Sequence, residues 1–324
     1  MREEEVSLRG RTARSLVQIA NHLPVPEGDM KREELRKKLD QHELPWHPKG
    51  DLKNEIIELP NCKAELLFEP DPEDDPPEEA FRKGTEDRKV VLQLHGGGYY
   101  HRIRNVYREA AVMYHGICNA DVFSLDYRVA PEHPFPAALE DTVDAYEWLL
   151  DTGYLPEHIF VAGDSAGGGL TLALIMYLRD HGRPLPKKAV TMSAWTDLKL
   201  TGESYQEKFL QDPVFGQLED SLVTYDGYYR DQDPGNPYIS PLNGDFRDFP
   251  PVLMQVGEQE MLLSDTLGVA EKLKEAGREV TLHVYPGMFH VFQLGFNLYP
   301  EATEAWKEVE TFLADPEDAE DPKG

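Results

Sequence analysis

The sequence predicts an α/β fold, a mostly parallel sheet with helices on both faces, and two observations carry that expectation. From residue 90 onward, short apolar runs recur at 90–94, 122–125, 159–162, 189–193, 252–256 and 280–285. Each is strand length and bounded by turn residues. Between them lie helix-period segments at 106–118, 137–150, 167–180, 267–276 and 302–314. Strands that alternate with helices build βαβ units, whose parallel strands are buried on both faces and therefore read as continuous apolar runs. The second observation is the stretch 161–169, VAGDSAGGG, which joins a strand to a helix through small residues with Ser165 at its centre.

Gly163, Ser165 and Gly167 spell G-x-S-x-G. A sharp strand-to-helix turn needs small flanking residues, because a Cβ on either side would meet the neighbouring strand and helix. Such a turn lifts the hydroxyl clear of the sheet and sets it over a helix N-terminus, whose dipole favours developing negative charge. Taken alone the motif reads equally well as an ordinary glycine-rich turn, so the rest of the chain must decide.

Residues 7–20 place Leu8, Ala13, Leu16, Val17 and Ala20 at helical spacing, and 30–39 reads as a second, strongly charged helix. Pro24, Pro26 and Pro45 punctuate them, and residues 1–45 precede any sheet signal. They are therefore assigned to a cover, and 46–324 to the main domain. Segments 54–59 and 64–68 read as two antiparallel strands joined at Pro60-Asn61. The run DPEDDPPEE at 71–79 is expected to be an exposed loop, since dense proline and like charge suit neither helix nor strand. Between Ser193 and Pro251 no alternating strand is visible. The aromatics and prolines there, among them Tyr225, Tyr228, Tyr229 and Pro234, mark an insertion at about 199–240 that forms a lid with the N-terminal helices. The acidic tail 315–324 is expected to fray.

Sixty acidic against 33 basic residues give a net charge of −27. That field repels nucleic acid and anionic membrane surfaces and argues against either as a partner. Cys62 and Cys118 are the only cysteines, with no spacing that suggests a disulfide framework or a zinc site. No stretch approaches the length of a membrane span, and MREEEV at the start lacks the apolar core of a signal peptide. The expected location is the cytoplasm; a homodimer is left open, since nothing in the sequence reads out the oligomeric state.

The segment His95-Gly96-Gly97-Gly98-Tyr99 directly follows the strand at 90–94. Consecutive glycines let backbone approach a ligand and turn N–H groups outward, as an oxyanion-binding loop requires. Neither G-K-[ST] nor a helix-opening G-x-G-x-x-G is present to favour nucleotide binding. Together with DYRVAPEHPFPAA at 126–138, the two glycine motifs resemble the hormone-sensitive-lipase-type family of α/β-hydrolase esterases over about residues 90–290. The resemblance implies an eight-stranded, mostly parallel sheet, a helical cap, and hydrolysis of carboxylic esters without metal or organic cofactor. It also implies Ser165 as nucleophile, the backbone N–H groups of Gly96, Gly97 and Ala166 as the oxyanion hole, and His95 as a residue that shapes the glycine loop. The sequence departs from the family at Gly169, where many members carry Asn, and at Tyr100-His101-Arg102 after the glycine loop.

A serine hydroxyl needs a base. His290, in a loop after the strand at 280–285 and last in the chain order serine, acid, histidine, fits that role and matches the family. Three carboxylates follow the strand at 252–256: Glu258, Glu260 and Asp265. The family's G-x-x-D-x-L spacing from Gly257 selects Glu260, with Glu replacing Asp. Asp265 is the alternative by side-chain type, yet it lies five residues further on, where it or Ser264 would cap a helix beginning near Leu267. Trp195, Tyr99 and Tyr100 are candidates for the substrate pocket wall, each equally suited to core packing. The expected activity is ester hydrolysis through an acyl-enzyme, on short to medium acyl chains. Two rivals stand beside it: a non-catalytic small-ligand receptor on the same fold, and an amidase or peptidase with the same triad.

Overall fold

The computed structural model describes residues 6–21, 36, 43–70, 88–216 and 226–314. The apolar runs pair into one sheet of eight strands: β1 (Lys53–Glu58), β2 (Lys63–Phe68), β3 (Val90–Leu94), β4 (Asp121–Asp126), β5 (Ile159–Asp164), β6 (Lys188–Met192), β7 (Val252–Gly257) and β8 (Val280–Tyr285). They lie in the order β1-β2-β4-β3-β5-β6-β7-β8. β2 runs antiparallel to β1 and β4, and every later pair is parallel. Burial follows position in the sheet: every residue of β3, β5 and β7 is buried, whereas β1 and β8 at the edges are largely not. Central parallel strands are covered on both faces, which is why they lack polar alternation.

The covering helices are α1 (Leu8–Asn21), α2 (Asn105–Cys118), α3 (Ala137–Asp151), α4 (Ser165–Asp180), the short α5 (Ser204–Glu207), α6 (Leu263–Glu275) and α7 (Pro300–Leu313). Successive side chains of a strand point to opposite faces. Val161 accordingly packs with Leu149, Leu170 and Leu174 of α3 and α4, whereas Phe160 and Ala162 pack with Tyr114 of α2 and Trp306 of α7. Nearly all of α4 is buried, as a helix apolar on all sides must be, and it ends where Gly182 takes a φ of +63°. α1 lies against the other end of the chain. The backbone N–H and hydroxyl of Ser7 both donate to the Glu301 carboxylate, and Ala13 and Val17 pack beside Met288 and Phe289.

The structure differs from the expected boundaries at two functionally important places. β6 stops at Met192 because Ser193 turns to a φ of +50° and leaves the strand. α6 begins at Leu263, earlier than expected, and Asp265 lies inside its first turn rather than capping it. In the insertion the described residues contain α5 and turns and no strand. The expected helix at 30–39, apart from residue 36, the acidic loop at 71–79 and the tail at 315–324 lie outside the described residues. Among the described residues no helix is long and apolar enough to cross a membrane.

The turn between β5 and α4 is as crowded as its sequence implies. Ser165 has a φ of +51°. A Cβ built on Gly163 would lie 2.3 Å from the Gly167 carbonyl oxygen, and one on Gly167 would lie 2.0 Å from that of Leu94. Both obstacles are backbone, so neither can swing aside. Gly167→Ala is expected to destabilise the fold by about 2 kcal/mol or more through overpacking, read as a lowered melting temperature of the purified protein. An unchanged melting temperature would contradict the packing described here.

Candidate active site

Three loops at the carboxyl ends of parallel strands converge on Ser165, where open α/β sheets collect their ligands. His290, after β8, has Nε2 at 2.9 Å from Ser165 Oγ and Nδ1 at 3.0 Å from Glu260 Oε2. Glu260, in the turn after β7, is fully buried. Its other oxygen, Oε1, accepts the Ser193 hydroxyl at 2.7 Å and the Gly257 N–H at 2.5 Å. A buried carboxylate requires such donors. The acid turn and the histidine loop meet where a Cβ on Gly257 would come within 2.4 Å of the Met288 carbonyl oxygen.

Of the three candidate acids, Glu260 is the one that touches His290. Glu258 accepts the Gly287 N–H at 2.9 Å. Asp265 is fully buried and accepts the N–H groups of Thr196 and Asp197 at 2.7 and 2.8 Å, so it anchors the segment after β6 that carries Trp195. That is a correction to its expected role as a helix cap. Burial pushes its pKa up to about 8, against the opposing pull of those two N–H groups.

The glycine loop requires a second correction. Gly96, expected in the oxyanion hole, points its N–H at Asp164 Oδ1, 3.1 Å away. Gly97 and Gly98, with φ values of +108° and +64°, are the two glycines that line the cavity over Ser165. Ala166 follows Ser165 in the first turn of α4. His95 stacks on Tyr127 at 4.1 Å and donates from Nδ1 to the Gly96 carbonyl at 2.7 Å, and burial pushes its pKa down to about 4. It therefore braces the loop as a neutral ring. Asp164 also accepts the Tyr107 hydroxyl at 3.3 Å, and burial pushes its pKa up to about 7, opposed chiefly by the nearby His290.

The cavity beside Ser165 has a volume of about 200 Å³ and is lined mainly by apolar side chains, including Trp195, Val214, Phe215, Leu262, Val291 and Leu294. The Trp195 backbone is held in place by its main-chain N–H, which donates to the Ser165 carbonyl at 2.9 Å. Tyr99 and Tyr100, the other expected wall residues, do not reach the cavity. Tyr99 sits behind Trp195, stacked on Tyr228 at 3.7 Å, and Tyr100 lies under the Arg36 guanidinium at 4.7 Å.

Sequence reasoning missed Val214 and Phe215. The Phe215 ring lies 4.6 Å from that of His290. Buried Asp212 accepts the N–H groups of Val214 at 2.7 Å and Phe215 at 3.1 Å, and also that of Met261 at 2.7 Å in the acid turn. The available signal was Asp212-Pro213 followed by two apolar residues within a polar insertion.

An eight-stranded sheet with a serine, a histidine and an acid at its strand ends, beside a glycine loop, defines an α/β hydrolase. A family model described as the alpha/beta hydrolase fold matches residues 91–294. An acetyl-hydrolase of Streptomyces hygroscopicus is 37% identical over 266 residues, which cover 82% of this chain and 83% of that protein. A solved esterase from the bacterial hormone-sensitive lipase family superposes with a TM-score of 0.79 at 34% identity, covering 95% of this chain and 97% of the other. EstE5, in a crystal soaked with p-nitrophenyl butyrate, superposes with a TM-score of 0.80 at 31% identity, covering 95% and 98%. This chain belongs to the hormone-sensitive-lipase-type family of α/β hydrolases.

Asp265 generates a pH prediction. Its folded value of about 8 lies above the ordinary 3.8, so the folded protein keeps a proton that the unfolded chain has released between those values. The unfolded state then binds fewer protons, and stability falls as pH rises through that window. Asp265→Asn keeps an acceptor for the two N–H groups and removes the titration. Its melting temperature relative to wild type is expected to rise between about pH 5 and about pH 8. A difference that does not change with pH would refute a titrating Asp265.

Proposed function

We propose that this chain is a serine carboxylesterase that works through an acyl-enzyme on small esters with short acyl chains. The observation that carries the reading is the continuous chain of hydrogen bonds Ser165–His290–Glu260, at 2.9 and 3.0 Å, opening onto an apolar cavity. In this reading His290 takes the proton of Ser165 as the hydroxyl attacks the ester carbonyl. Glu260 fixes the imidazole tautomer and stabilises the imidazolium. The N–H groups of Gly97, Gly98 and Ala166 receive the tetrahedral oxyanion, with α4's dipole behind them. His290 then protonates the departing alcohol, and water repeats the sequence on the acyl-enzyme.

The names of the relatives support the substrate class, and the cavity supports the chain length. About 200 Å³ is small beside the roughly 300 to 1,000 Å³ of pockets for drug-sized ligands. Acyl groups of about two to eight carbons are the expected range. A receptor on this fold has no use for a complete proton relay at the serine, and the relatives' names, acetyl-hydrolase and esterase, favour esters over peptides.

Ser165→Ala and His290→Ala are each expected to lower turnover of 4-nitrophenyl butyrate by about 10⁶ while the protein stays folded, and Glu260→Gln by about 10³ to 10⁴. Retention of more than a few per cent of activity by a folded Ser165→Ala protein would sink the assignment. Phe215→Ala enlarges the cavity beside His290. It should raise kcat/KM for the octanoate relative to the butyrate ester by about tenfold, the worth of roughly one further methylene accommodated at about 1 to 3 kcal/mol. An unchanged chain-length profile would remove Phe215 from the pocket wall.

A further inference from the structure

Ser193 is the first residue beyond β6, and its hydroxyl takes part in no step of the mechanism above. It is completely buried, and it has a φ of +50°, a conformation that disfavours every residue with a Cβ. Its backbone N–H donates to the Gln255 carbonyl of β7 at 2.7 Å. Its Oγ lies 2.7 Å from Glu260 Oε1 and 3.0 Å from the backbone nitrogen of Val291, the residue after His290. A hydroxyl has one proton and two lone pairs. Val291 N–H can only donate, so the lone pairs serve Val291 and the proton serves Glu260. One oxygen atom thus ties together the end of β6, the acid turn after β7 and the histidine loop after β8.

The acid in this chain is a glutamate, which has one more rotatable bond than an aspartate and must be held if its carboxylate is to meet an imidazole squarely. Ser193 Oγ and Gly257 N–H occupy Oε1 together, and this turns Oε2 onto His290 Nδ1. A glycine would suit the left-handed backbone better, so the side chain is what the site keeps at this position.

We propose that Ser193 is a positioning residue of the triad, whose hydroxyl locks Glu260 in the rotamer that orients His290 while it fixes the histidine loop through Val291. The proposal rests on Glu260 being the triad acid. The experiment measures kcat and KM for 4-nitrophenyl butyrate, with thermal melts, for wild type, Ser193→Ala, Ser193→Gly, Glu260→Gln and the double variant Ser193→Ala/Glu260→Gln. Ser193→Ala is expected to lower kcat by about 10- to 100-fold, the worth of a hydrogen bond to a charged group, with KM within about twofold. Ser193→Gly should lose as much kcat even though it relaxes the backbone, which keeps the test decisive if the alanine variant folds poorly. In the Glu260→Gln background Ser193→Ala should remove less than about threefold more, because residues that act through one another are not additive.

Recovery of kcat in Ser193→Gly, a loss that falls on KM, or an equal loss in both backgrounds would each overturn the proposal and leave Glu260 as the acid. Wild-type turnover in Glu260→Gln would overturn the acid assignment, and this proposal with it.

Discussion

A carboxylate removed from water has to be surrounded by donors, and the arrangement of this active site follows from that requirement at Glu260. Its partners come from three places in the chain: the hydroxyl after β6, the N–H at the end of β7, and the histidine after β8, which in turn reaches the serine after β5. None of these groups is near another in sequence. The parallel sheet brings their loops to one edge, and the buried charge then fixes their mutual geometry, because a small displacement would leave a charged oxygen without a partner. Precision at the serine is therefore a property of the acid's surroundings as much as of the serine's own turn.

The sheet was legible wherever side-chain pattern alone decides structure. The runs at 90–94 and 280–285 form strands with those same bounds, and the G-x-S-x-G turn is as tight as its glycines imply. What could not be read depends on partners far away in the chain. Three glycines in a row are indistinguishable in a sequence. The one whose N–H is diverted is settled by Asp164, 68 residues later. Asp265 looks like a helix cap from its neighbours, and only the loop after β6, brought to it by the fold, gives it a different task. Tyr99 and Tyr100 follow the glycine loop and so invited placement in the pocket. The φ of +56° at Tyr99 and the Arg36 guanidinium over Tyr100 take both rings elsewhere.

Two buried aspartates, Asp164 and Asp265, flank the site, and each has its acidity weakened by burial. Each is spent on backbone N–H groups, at the glycine loop and at the segment carrying Trp195. Loops lack the internal ladders that satisfy a strand or helix, so a buried loop needs side chains to take up its N–H groups. The site is thus walled by loops whose shape is set by acids rather than by regular structure.

Asp212 extends this principle to the insertion, with one carboxylate shared between the segment bearing Phe215 and the acid turn at Met261. Sharing makes that contact a fixed hinge pin for sequence change. Ser204, earlier in the same insertion, adds a second tie, its hydroxyl donating to the Met261 carbonyl at 2.6 Å, so the insertion's wall of the cavity and the turn that carries Glu260 are held as one piece. A change at the pin itself would alter both at once.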